Sequence, residues 1–115
     1  MSVIQILQII AALATAATGL VSLLVPRKVT GFTGLEPIGG RGVTEIRAVL
    51  GALFIALGLA PLFIGAPAYL VLGIGYLSIA AVRAVSMLID RSVVSSNIIS
   101  LATEIVLGVI LVLRP

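Results

Sequence analysis

The sequence predicts an all-α integral membrane protein, a single four-helix transmembrane bundle over residues 1–115. Three observations predict it. Four apolar runs, at about 3–25, 43–64, 69–88 and 93–113, are each long enough to cross a hydrocarbon core roughly 30 Å thick. Hydrophobic residues make up 61% of the chain and charged residues 10%, so a small soluble domain would lack a polar surface and lipid must cover most of this one. Five charges, Glu45, Arg47, Arg83, Asp90 and Glu104, stand at the ends of the runs or inside them, which gives each a definite depth.

The first run has no Lys or Arg before it, so it reads as a true span rather than a cleaved signal, which needs a basic start. Ala12 and Ala16, with Thr15 and Gly19 beside them, form a small-residue face suited to close helix contact. Pro26 ends the helix because it has no N–H to continue the ladder. The stretch 27–42 carries Arg27, Lys28, Glu36 and Arg41 among several glycines and reads as a loop, with a short interfacial turn near 32–35.

The second span starts near Val43, with Thr44 as its cap and Glu45 at the positive end of the helix dipole. Gly51 and Gly58 share one face and admit a close neighbour. The uncharged link 65–68 is short enough to make spans two and three an antiparallel hairpin. In the third span Tyr69, Tyr76, Arg83 and Asp90 recur every seven residues; seven residues turn a helix through about 700°, so they form one stripe. Asp90, Arg91 and Ser92 make a tight polar turn. In the fourth span Asn97, Ser100 and Glu104 share a face.

Basic residues concentrate in the first and third loops. The positive-inside rule therefore sets those loops in the cytoplasm and both termini outside, in a multi-pass protein of the cell inner (plasma) membrane. The net charge of +3 is topology information, and no nucleic-acid partner is expected. There is no Cys and no His, which removes disulfides, thiolate nucleophiles, zinc sites and ordinary haem ligation. No cofactor and no metal site is expected.

At about 1.5 Å per helical residue, Glu45 and Arg47 lie roughly 3 to 6 Å inside the second span, Arg83 roughly 10 Å above Asp90, and Glu104 roughly 16 Å above the start of the fourth span. A lone charge at the centre of a membrane helix costs roughly 2.5–3.5 kcal/mol on insertion scales, so Glu104 needs a partner, and Arg83 is the partner at matching depth. Glu45 and Arg47 differ by about 200° around their helix, so one is expected to point into the bundle and the other outward; Arg41, four residues before Glu45, is placed to pair with it.

Two readings of this charged set stay open. It is a staple that fixes helix order and register. Or it is a functional site, with Glu45, Arg47, Tyr76, Arg83, Asp90, Asn97, Ser100 and Glu104 as the candidate ligand-binding residues and Glu104 with Arg83 as the candidate catalytic pair. Three functions follow. The first is a binding protein for a lipophilic small molecule or a subunit of a membrane complex. The second is a membrane isomerase or hydrolase acting on a lipid-like substrate, with Glu104 as general acid or base. The third is a proton-coupled small-solute transporter, which the absence of a proline at midplane depth disfavours. The expected partners are the bilayer, a lipophilic ligand, and either further copies of the chain or a larger membrane complex.

Glu45-x-Arg47-Ala48, then Gly51 and Gly58, then Arg83 with Asp90 seven residues on, then Glu104, resembles an uncharacterised family of small four-helix membrane proteins, domain of unknown function 4345. The resemblance covers nearly the whole chain, and the plan is also similar to that of DoxX-like membrane proteins. It implies an Asp-Gly pair at the end of the third helix, where this chain has Asp90-Arg91. It implies the charged set but no settled activity.

Overall fold

The computed structural model describes residues 1–114. It is all-α, with no strand among the described residues. Four helices are long and apolar enough to cross a membrane: α1 (Val3–Leu24), α2 (Gly39–Ile64), α3 (Ala66–Ile89) and α4 (Ser95–Val112). Only 17–33% of each helix's apolar window is buried within the chain, so most of their apolar surface faces out of it.

The chain divides into two compact units, Ala12–Gly65 on one side and Met1–Ala11 with the chain from Ala66 onward on the other. Residues of α1 belong to both.

In the first unit, α1 and α2 run antiparallel along their small residues. A methyl group added at Gly58 would stand 2.5 Å from the Ala16 N and 2.6 Å from the Ala12 O; one added at Gly19 would stand 2.6 Å from the Gly51 O. Backbone meets backbone there, which is how helices associate in lipid, where burial of apolar area supplies no driving force. Both small faces expected from the sequence are therefore used, and against each other.

The second helix begins earlier than its hydropathy indicates. Gly39–Glu45 is already helical, because Gly42 leaves room for Pro37: a Cβ at Gly42 would lie 2.9 Å from the Pro37 Cα. Thr44 consequently is not the cap. It lies inside the helix, its hydroxyl donating to the Gly40 carbonyl. From Ile46 to Leu53 the hydrogen bonding widens to the π pattern, which is rare and usually limited to single-turn bulges. The first loop contains a 3₁₀ turn, Pro26–Lys28, and one helical turn, Thr30–Thr33, closed by Gly34 at φ 73°. That turn lies two residues earlier than expected. Its two threonines hold it, Thr33 donating to the Val29 carbonyl and Thr30 to that of Leu35.

Gly65, at φ 90° and ψ −148°, is the one non-helical residue between α2 and α3, a conformation open to glycine and costly for other residues. In the second unit α3 and α4 are antiparallel. Gly73 lies against Leu111 and Val112, and Gly108 against Leu77. Ala11, Leu72 and Leu111 form a buried cluster with Tyr69, Tyr76 and Leu107 packed on it. Gln8, also buried, donates its side-chain amide to the carbonyls of Ile110 (3.0 Å) and Leu113 (2.8 Å). Ile110 is in the last turn of α4 and Leu113 is its C-cap, so neither carbonyl has a partner within the helix.

Candidate functional site: a forked ion pair beside an open hollow

The site is built from the C-terminal half of α3 and the first and middle turns of α4. Arg83 projects from α3 toward the face of α4 that carries Asn97 and Glu104. Its Nε donates to Glu104 Oε1 at 2.8 Å and its Nη2 to Glu104 Oε2 at 2.7 Å. This is the two-bond fork of guanidinium and carboxylate, which fixes orientation as well as charge. Nη1 donates to Asn97 Oδ1 at 2.9 Å, and Asn97 Nδ2 donates to the Ser92 carbonyl at 2.9 Å. The turn after α3 is thereby tied to the ion pair.

The depth of the pair follows from helix rise. Arg83 is six residues before the end of α3 and Glu104 nine after the start of α4, about 9 and 14 Å from those helix ends. The fourth helix starts two residues later than hydropathy indicates, because Val94 is extended and serves as its N-cap. An arginine near a helix end ordinarily extends its head toward water. Here Glu104 holds the head at its own level.

The two partners are unequally covered. The Glu104 side chain is 11% exposed and that of Arg83 30%. Arg83 lines an open hollow of about 490 Å³, together with Ser78, Ile79, Val82, Ser86, Met87 and Asn97. Ser78 Oγ donates to the Ile74 carbonyl and Ser86 Oγ to Asp90 Oδ2 just past the end of α3, so both hydroxyls have spent their hydrogen and keep only acceptor capacity.

Of the sequence candidates, Arg83, Asn97 and Glu104 are brought into one bonded cluster, and Asp90 joins its rim through Ser86. Ser100 is half-buried on the same face of α4, outside the bonded set. Tyr76 packs on the Ala11–Leu72–Leu111 cluster. Glu45 pairs with Arg41, as their spacing indicates, and this pair is exposed. The expectation that Glu45 or Arg47 points inward is not met. Ile46 takes the inward position, 6% exposed, and its two neighbours, each about 100° away around the helix, both face out.

Sequence reasoning missed Ser78 and Ser86. Their signal was present: Ser78, Val82, Ser86 and Asp90 recur every four residues, an edge of α3 adjacent to Arg83. It also missed Gln8, an amide in the middle of an apolar run.

Among the described residues no group of His, Cys, Asp and Glu is arranged to hold a metal ion. Comparison with protein-family models, with curated proteins and with solved structures finds no match to this chain in any of the three.

Proposed function

We propose that this is a multi-pass membrane protein that binds a lipophilic small molecule in the hollow beside Arg83. The observation that carries the reading is the asymmetry of the ion pair. Glu104 is buried and does not line the hollow, while the Arg83 side chain it orients stays partly exposed and lines the wall. A staple alone calls for both members to be sealed, since every donor left facing hydrocarbon costs free energy. The walls of Ile79, Val82 and Met87 suit an apolar body, and Arg83 and Asn97 supply the few polar groups that fix its orientation.

In this reading the stretch 27–42 and the Asp90–Ser92 turn face the cytoplasm, and the membrane is the cell inner membrane. Glu104 acts as the group that positions Arg83. Both its oxygens are engaged by one guanidinium, which leaves it poorly placed as a general acid or base for a molecule in the hollow.

The test is mass spectrometry of the lipophilic molecules that co-purify with the detergent-solubilised protein, for wild type and for Ser78→Phe, which fills the hollow. The reading predicts a species enriched in wild type and depleted in the variant. Identical profiles contradict it.

A further inference from the structure

The geometry points to the chemical class of the occupant: an uncharged lipophile that presents a carbonyl oxygen, or an equivalent neutral acceptor, to Arg83. This rests on the binding reading above and narrows it.

Donor counting comes first. A guanidinium has five N–H groups. Glu104 takes one from Nε and one from Nη2, and Asn97 takes one from Nη1. One N–H on Nη1 and one on Nη2 remain without an acceptor among the described residues. Asn97 Nδ2 likewise keeps one N–H beyond its bond to Ser92. Arg83 and Asn97, both of which line the hollow, thus keep three N–H groups between them, and these call for acceptor oxygen.

Charge comes second. The positive charge of Arg83 is already matched by Glu104 at fork distance, so the pair is neutral. The next charges along α3 are Asp90, bonded to Ser86 of the lining, and Arg91 beside it, which offset one another. The hollow therefore carries no net positive charge, and a phosphate or carboxylate headgroup would enter with no net countercharge. In low dielectric that cost is large.

Depth comes third. Arg83 lies about 9 Å from the end of α3, and its head is held toward Glu104, deeper still. The polar headgroups of bilayer lipids lie outside the hydrocarbon core. For an ordinary phospholipid to reach these donors, its headgroup would have to descend into that core. A molecule that carries its oxygen within an apolar body, such as a long-chain ketone or ester, reaches them without that cost.

The test uses three probes of comparable chain length with the purified full-length protein: methyl oleate, octadecane and hexadecyl phosphate. Native mass spectrometry reads retention in wild type, Ser78→Phe and Ser86→Phe. Far-UV circular dichroism and thermal unfolding establish that both filled variants are folded. The expected result is methyl oleate retained at least about tenfold over both other probes, equivalent to about 1.4 kcal/mol, and lost in both variants. Equal or better retention of hexadecyl phosphate or octadecane that is lost in the variants overturns the assigned class and leaves the binding reading standing. Retention of every probe no better in wild type than in the filled variants overturns both.

Discussion

Glu104 accepts from Nε and Nη2 of Arg83 at 2.8 and 2.7 Å, and this fork joins α3 to α4 within their apolar stretches. Arg83 also lines an open hollow on this face. One pair therefore serves both the packing of α3 on α4 and the chemistry of the site. The predictions below separate these roles from the surrounding packing.

Gly58→Ala should destabilise the contact between α1 and α2. The added methyl would meet backbone atoms of Ala12 and Ala16 at 2.5–2.6 Å, which no rotamer change relieves. A loss of about 1–3 kcal/mol is expected, as for overpacking in a tight interior. Gly75→Ala is the control: nothing lies within 4 Å of the new carbon, and a gain of about 0.5 kcal/mol follows from helix propensity. Unfolding by denaturing detergent measures both.

Gln8→Met keeps the length of the side chain and removes its amide. The carbonyls of Ile110 and Leu113 then lose their side-chain donor. The loss of two hydrogen bonds to carbonyls at the end of α4 should cost about 1–3 kcal/mol. Faster amide hydrogen exchange confined to the last turn of α4 would locate the effect.

Arg91→Gly should stabilise the turn between α3 and α4. Arg91 sits at φ 51°, and the Ser92 N–H donates to the Met87 carbonyl at 3.0 Å, the six-to-one bond of a Schellman ending. A side chain in that left-handed position costs roughly 1 kcal/mol, so glycine should recover about 0.5–1 kcal/mol. Arg91→Val should lose stability at the same position, because a branched side chain tolerates positive φ least. Thermal unfolding of the two variants should move in opposite directions.

Much of this molecule was legible in its sequence, and the physical reasons are specific. The four spans follow from apolar length, and the match of Ala12, Ala16 and Gly19 to Gly51 and Gly58 follows from helical periodicity. The meeting of Arg83 and Glu104 followed from depth alone. The start of α2 was misjudged because four residues from Gly39 to Gly42, three of them glycine, read as loop by propensity, while the close approach of Pro37 is a tertiary matter. The π pattern of Ile46–Leu53 leaves no trace in hydropathy, since it changes which carbonyl each N–H meets and not which side chains are apolar. The inward placement of Ile46 was readable in principle: of three consecutive residues, the apolar one between two charges is the cheapest to bury. Ser78 and Ser86 went unread because a lone hydroxyl in a membrane helix usually satisfies itself on the carbonyl four residues back, as Ser78 does.

The central claim is that Arg83 and Glu104 stabilise the protein only as a pair, and a double-mutant cycle of unfolding free energy with Arg83→Met, Glu104→Met and the two combined tests it most directly. Each single variant leaves one charge without its partner and should lose about 2–4 kcal/mol, somewhat below the range for a sealed pair because Arg83 is partly uncovered. The combined variant removes both charges and should return to within about 1 kcal/mol of wild type. Single variants as stable as wild type, or a combined loss equal to the sum of the single losses, would contradict the account.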